Sequence, residues 1–399
     1  GCSSSSDPDA DEPISGGSAG ATSGSGGKAG SPNAGGADAQ GGRAAITIGS
    51  AGDGGASEPE PGCAKTTASA ELVPTNFLFV IDASGSMNCN VPDGDVALAA
   101  RCARFPIKED PARPSKWEVT LAALAASLAS LVDKPQVSAG LMLFPRGSEC
   151  GVNAEPDVPV ATLDAAQLAS IQEALEKTSP QGETPIAGAT ILSYGHIAQR
   201  LVAGALSGNS VVILLTDGVE TCAPSVLESL LSRDVPNARL FDIRTFVIGA
   251  PGSEAARSLL SEVAWQGGTA AEEACSHAAP EPSTGNCHLD MTTSRNFEAE
   301  LAAAMNSIAN TEAISCEIAV PVNPSGGGVD LDRVNVTFTP TTGESETIVN
   351  DAAVCASANG WQYSADRSRI VLCGDACSRV RSEDGELKVV LGCPPVIVH

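Results

Sequence analysis

Phe77-Leu78-Phe79-Val80-Ile81-Asp82-Ala83-Ser84-Gly85-Ser86-Met87 is the stretch on which the reading of this chain turns. Its first five residues are apolar without interruption, as in a strand buried on both faces; a strand with one wet face would alternate. The run stops at Asp82, and acidic or hydroxyl side chains then fall at every second position, 82, 84 and 86, which in extended backbone puts them on one side.

Downstream, Trp117, Leu121, Leu124, Leu128 and Leu131 recur at helical spacing, and Val137 to Phe144 reads as a strand. Leu168, Ile171 and Leu175 mark a second helix. A loop at Gln181 to Pro185 leads into a third helix reaching about Leu206, followed by the strands Val211 to Leu215 and Arg244 to Gly249. Phe297, Leu301, Met305 and Ile308 mark a closing amphipathic helix. Strands alternating with helices predict an α/β fold, a doubly wound and mostly parallel sheet covered on both faces, and such sheets bind ligands at the carboxyl ends of their strands.

Past about Glu312 the helical periodicity gives way to short alternating runs, Val334 to Phe338 and Leu387 to Leu391, which predict a small all-β domain. Cys316, Cys355, Cys373, Cys377 and Cys393 stud it, so disulfides are expected to compensate for a small core. Residues 3–61 are dominated by Gly, Ser, Ala, Asp and Pro and offer almost nothing to bury. They read as a disordered tether with an r.m.s. reach of about 40 to 45 Å. The expected organisation is a tether over 1–62, an α/β domain over 63–312 and a cysteine-rich β domain over 313–399.

The 399 residues carry 48 acidic against 23 basic side chains, a formal net charge of -25. Nucleic-acid or anionic-membrane binding needs a basic face and is excluded on that balance. Thirteen cysteines without a CxxC zinc pattern point to an oxidising compartment. Cys2 stands apart from the rest, and Gly1-Cys2-Ser3-Ser4 looks like the cleavage point of a bacterial lipoprotein signal, with Cys2 becoming the lipidated N-terminus. The remaining cysteines suffice for about six disulfides. Five in the β domain is odd, so one should pair outside it, and Cys63 is available. The apolar stretch Ile186 to Leu206 is broken by His196, Gln199 and Arg200, so lipid is the expected membrane anchor.

Thr184, in Gly182-Glu183-Thr184-Pro185, and Asp217, in Thr216-Asp217-Gly218, are expected at the same sheet edge as Asp82, Ser84 and Ser86. All five offer hard oxygen. Two carboxylates balance a dication and three hydroxyls add ligands without repulsion, which suits Mg²⁺, Mn²⁺ or Ca²⁺.

Phe79 to Met87 closely resembles the opening strand and metal loop of von Willebrand factor A domains, and the resemblance extends over about Thr75 to Ala309. It implies a metal-ion-dependent adhesion site, with Ser84, Ser86 and Thr184 on the metal directly or through exchangeable water and Asp82 and Asp217 holding it largely through water. It further implies a coordination position left open for a carboxylate of a partner protein, and no chemistry on a substrate. The layout is similar to that of bacterial envelope lipoproteins of this family, so the expectation is an envelope-anchored, non-enzymatic protein-binding module at the outer membrane or cell surface. The alternatives are a structural envelope component whose metal stabilises the fold, or a metal-dependent hydrolase.

The chain departs from the family pattern at 87–115, where an insertion with Cys89, Cys102, Asp93 and Asp95 replaces a tight turn into the first helix. Cys89 and Cys102 are candidate disulfide partners. Cys275, His277, Cys287 and His288 include zinc-ligand types, but the spacing is wrong for a structural zinc site, and Cys275 with Cys287 is expected to close a loop as a disulfide. The sequence has no G-x-S-x-G elbow and no H-E-x-x-H helix. A phosphohydrolase would need a phosphate-binding cation near Asp217, where the sequence places Glu220.

Overall fold

A computed structural model describes residues 66–69, 73–91, 101–313 apart from 103, 133, 135, 273 and 279–284, and then 316–320, 330–350 apart from 342, 360–382 and 385–391. The 1–62 tether, the lipidation candidate Cys2, and Cys63, Asp93, Asp95, Cys355 and Cys393 lie outside the described residues.

In chain order the first part comprises β1 (Thr66–Ser69), β2 (Thr75–Asp82), α1 (Lys116–Ala129), β3 (Val137–Phe144), β4 (Val158–Thr162), α2 (Ala165–Glu176), α3 (Ile186–Val202) and β5 (Asn209–Thr216). An irregular helical stretch from Pro224 to Leu240 leads to β6 (Ile243–Gly249), α4 (Arg257–Gln266), β7 (Leu289–Asp290) and α5 (Phe297–Ala313). One six-stranded sheet runs in the order β4-β3-β2-β5-β6-β7. Its neighbours are parallel except for the edge pair β3 and β4. The fold is α/β, a mostly parallel sheet wound on both sides.

Every residue of β2 is buried, because alternate side chains enter two separate cores. Phe77, Phe79 and Ile81 pack with Trp117, Leu124 and Leu128 of α1 and Leu301 and Met305 of α5. Leu78 and Val80 face Ile186 and Ile197 of α3 and Leu260 and Val263 of α4. At about 25 cal/mol per Å² of apolar surface, this two-sided burial is the main force holding the strand in the middle of the sheet.

Three local features differ from the sequence reading. Edge strand β4, Val-Pro-Val-Ala-Thr, is hidden because Pro159 faces out and three of its five residues are exposed. Helix α3 ends at Val202, short of Leu206, because Gly204 takes φ +68°, a left-handed conformation that terminates a helix. Helix does not cease past Glu312: α6 (Asp375–Ser382) follows β8 (Glu317–Ala319), β9 (Val334–Pro340), β10 (Glu346–Ile348), β11 (Gly360–Tyr363) and β12 (Arg369–Cys373), and precedes β13 (Gly385–Leu391). Its apolar contribution is confined to Ala376, Cys377 and Val380, too little to register as a helical stripe.

Two small antiparallel sheets, β1-β13-β9-β10 and β11-β12-β8, share a core of Val336, Phe338, Trp361, Ile370 and Val389. Cys316 and Cys377 tie β8 to α6, and Cys373 is disulfide-bonded as well. These sheets meet the large sheet at the amino ends of its strands. Val73, just before β2, donates its amide to the Glu317 carbonyl at 3.1 Å, and Arg369 reaches Asn209 Oδ1 at the start of β5 at 3.1 Å. The carboxyl edge of the large sheet is therefore left for the loops that follow β2, β3 and β5.

Candidate metal centre

At that edge the chain after β2 turns through a short 3-10 segment, Gly85–Asn88. Two backbone bonds fasten the turn to the Thr184 loop, from the Gly85 amide to the Gly182 carbonyl at 3.0 Å and from the Gln181 amide to the Ala83 carbonyl at 2.8 Å. The side chains named from the sequence are thereby brought together. Ser84 Oγ lies 3.1 Å from Ser86 Oγ, and Ser86 Oγ donates to Asp217 Oδ1 at 2.6 Å. Asp82 sits behind them, accepting from the Ser84 amide at 2.8 Å and the Thr216 hydroxyl at 2.6 Å. Thr184 is held by the Thr221 hydroxyl, which accepts its amide at 2.9 Å. A Cβ on Gly218 would stand 3.2 Å from Thr184 Oγ1, so glycine there leaves room beside that hydroxyl.

Asp82 is fully buried, and its pKa is pushed up to about 7, first by desolvation and then by the nearby Asp217 charge. A site that raises the energy of its own carboxylate favours a cation that neutralises it. Among the described residues no three His, Cys, Asp or Glu side chains converge as a metal cluster, so a cation here depends on the hydroxyls. Ser86, Thr184 and Asp217 line an open cavity of about 700 Å³. The donor chemistry, the chain of oxygens one hydrogen bond apart and the cradle at Gly218 fit a hard divalent ion.

The two ends of the excursion between Met87 and Ser115 are held together at its base. Cys89 is joined to Cys102, and the Lys116 amide bonds the Cys89 carbonyl at 2.8 Å. Asn90 bridges to Ser115, with its amide group reaching the Asp110 and Arg113 carbonyls at 2.9 and 3.0 Å. Helix α1 thus starts beside the turn even though it comes late in sequence. The excursion also walls the cavity: Arg104 and Pro106 line it, and Phe105 and Ile107 are exposed on the same segment.

Sequence reasoning missed Lys116. Its ammonium forms an ion pair with Asp217 Oδ2 and donates to the Pro251 carbonyl at 2.9 Å, with both side chains buried. Glu220, three residues after Asp217, is turned away; its carboxylate accepts the amides of Ala187, Cys222 and Ala223 at 2.7 Å each and so caps the start of α3. No local spacing rule could find Lys116, because the excursion separates it from Asp82 and the sheet separates it from Asp217. The disulfide Cys150–Cys222, joining the loops after β3 and β5 at the rim, was equally invisible.

Cys275 and Cys287 are bonded to each other and their thiols are thus unavailable to zinc. Ser261 Oγ lies 2.8 Å from His288 Nδ1, a pairing that could suggest a nucleophile and its base. Both are buried, and His288 Nε2 abuts Gly249, where even a Cβ would come within 3.0 Å. Burial lowers the His288 pKa to about 4, so the pair is a neutral core contact at physiological pH. A second cavity, of about 350 Å³, lies at the amino edge; its charged lining is internally neutralised through Arg369 with Glu317 and Arg244 with Glu312.

No protein-family model matches the chain, and no curated protein sequence is similar to it. Among solved structures it is similar to the PilB minor pilin from Streptococcus sanguinis, at 13% identity over 64% of this chain and 62% of that one, with a TM-score of 0.39. It is also similar to the pilus adhesin SpaC from Lactobacillus rhamnosus GG, at 12% identity over 82% and 40% with a TM-score of 0.41. A third likeness is to the vWF domain of the type V pili tip protein Mfa5 from Porphyromonas gingivalis, at 13% identity over 61% and 96% with a TM-score of 0.34. The chain thus spans less than two thirds of the pilin and the adhesin. At these identities and TM-scores the likenesses carry no argument about this chain, and function has to be argued from the residues at the sheet edge.

Proposed function

We propose that the chain is a protein-binding module of the von Willebrand factor A type. Asp82, Ser84, Ser86, Thr184 and Asp217 would hold Mg²⁺, or Mn²⁺ or Ca²⁺, and the cation would present a free coordination position to a carboxylate of a partner protein. The observation that carries this reading is that Ser86, Thr184 and Asp217 line one open cavity, with Ser84 and Asp217 linked to Ser86 at 3.1 and 2.6 Å. The four paired disulfides among the described cysteines support a location in an oxidising compartment. Attachment to an envelope membrane through a lipid on Cys2 is part of the same proposal, with the tether holding the domain off the surface.

Calorimetric titration with Mn²⁺ tests the site: Asp82→Ala and Asp217→Ala should each abolish binding, and unchanged affinity in both folded variants would overturn the assignment. Affinity capture of envelope proteins on the full chain, with Mg²⁺ and again with chelator, tests the role; partners should be lost on chelation. A structural metal would leave capture unchanged.

One observation favours a second reading, a metal-assisted phosphohydrolase, because Lys116 supplies a cation beside Asp217. That ammonium is already engaged by Asp217 and the Pro251 carbonyl and is 4% exposed, which leaves little of it for a phosphate. Turnover of p-nitrophenyl phosphate with Mg²⁺, lost in Asp82→Ala, would establish the second reading; no turnover is expected.

A further inference from the structure

Lys116 is an odd residue to find where it stands. It occupies the first position of α1, behind the Ser115 cap, where the positive end of the helix dipole disfavours a cation. It is also buried, which disfavours any unpaired charge. The one charge set against both costs is that of Asp217, one of the two carboxylates offered to the metal. The contact is enforced from three sides. The Ser115 and Glu118 capping box fixes the start of the helix, the pinched excursion fixes where that start lies, and the Pro251 carbonyl takes a second ammonium hydrogen at 2.9 Å. Gly252 completes the seat, since a Cβ there would come within 3.2 Å of Nζ.

We propose that Lys116 is a tethered competitor for the metal, one that makes cation binding conditional on the partner's carboxylate; this rests on the metal-site reading above. Asp217 has Oδ2 on the ammonium and Oδ1 on Ser86, so it meets an incoming cation with half its charge already spoken for. Two carboxylates set against one ammonium give the cluster one net negative charge. A dication entering it leaves one net positive charge in a largely buried site, whereas the same site without the lysine would be neutral. An uncompensated buried charge is unfavourable, and an anionic ligand on the cation removes it. Metal and acidic partner therefore bind with positive coupling, each raising the affinity of the other by the same factor.

The test uses the full chain and Mn²⁺ titrated by calorimetry, with and without acetate as the carboxylate probe, alongside thermal melts. Lys116→Met and Lys116→Gln should bind Mn²⁺ at least about tenfold tighter than wild type, as expected when a like charge paired with one of the ion's carboxylates is removed. Lys116→Arg keeps the charge and should show no such gain. Acetate should tighten Mn²⁺ binding in wild type and have a smaller effect in the neutral variants. The acetate dependence of the wild-type protein stands by itself should a variant fail to fold. The inference is overturned if folded Lys116→Met and Lys116→Gln bind Mn²⁺ no tighter, or if acetate leaves wild-type affinity unchanged, while Asp82→Ala still abolishes binding. If neither wild type nor the neutral variants bind Mn²⁺, the site reading itself fails.

Discussion

Asp82 is where burial and charge meet most directly. Both of its oxygens are hydrogen-bonded, and its pKa stands at about 7 because the carboxylate is out of water and beside Asp217. A cation needs the ionised form, so binding must expel a proton whenever the pH is below that value. Apparent Mn²⁺ affinity should consequently fall about tenfold for each pH unit below about 7 and level off above it. Titrations at pH 5.5, 6.5, 7.5 and 8.5 would check this, and a flat profile over that range would mean that Asp82 is already ionised in the metal-free protein. Thr184→Ala probes a different quantity, since it removes a neutral donor that lines the cavity beside Gly218. It should weaken Mn²⁺ binding without altering the pH profile.

At the scale of elements, the excursion and the rim disulfide decide whether those residues meet. The Ser115 cap accepts the Glu118 amide at 3.1 Å while Glu118 accepts the Ser115 amide at 2.8 Å. Ser115→Ala should cost about 1 kcal/mol of stability, measured by urea denaturation. Cys150 and Cys222 close a span of 72 residues, so the Cys150→Ser, Cys222→Ser double variant should lose about 4 kcal/mol on a chain-entropy argument. The elements differ in how far the sequence disclosed them. β2 was legible because both of its faces are apolar, and α1 and α5 because each buries one stripe. The five candidate ligands were legible as a set because three lie two residues apart, Thr184 sits in a loop and Asp217 follows a strand expected at the same sheet edge. Lys116, Cys150 with Cys222 and α6 were not, since each is defined by a partner remote in sequence or by too few apolar side chains to make a pattern.

Across the whole molecule, two buried groups give opposite pH dependences that a cation should separate. His288 has its folded-state pKa lowered to about 4 from an ordinary 6.5 by burial. Between those values the unfolded chain binds a proton that the folded chain refuses, so stability rises with pH by about 1.4 kcal/mol per unit. Asp82 has its folded-state pKa raised from 3.8 to about 7. Over the same window the folded chain holds a proton that the unfolded chain has lost, so this contribution is present at low pH and falls by about 1.4 kcal/mol per unit as the pH rises. The remaining resolved carboxylate shifts, at Glu118, Glu173, Asp290 and Asp366, are all downward and act mainly below pH 4.5. His196, whose pKa burial also lowers, adds to the rising side, so in metal-free protein the falling slope of Asp82 should be offset by the two histidines together between pH 4.5 and 6.5. Saturating Mn²⁺ keeps Asp82 ionised and removes its contribution, which should uncover the rising slope of His288. His288→Gln in metal-free protein should tilt the dependence toward the falling slope of Asp82, with His196 still opposing it. Urea denaturation midpoints at pH 4.5, 5.5 and 6.5, with and without Mn²⁺, read both slopes. If Mn²⁺ leaves the pH dependence of the wild-type midpoint unchanged, the cation is not displacing a proton from Asp82, and the carboxylate that ends β2 takes no part in holding it.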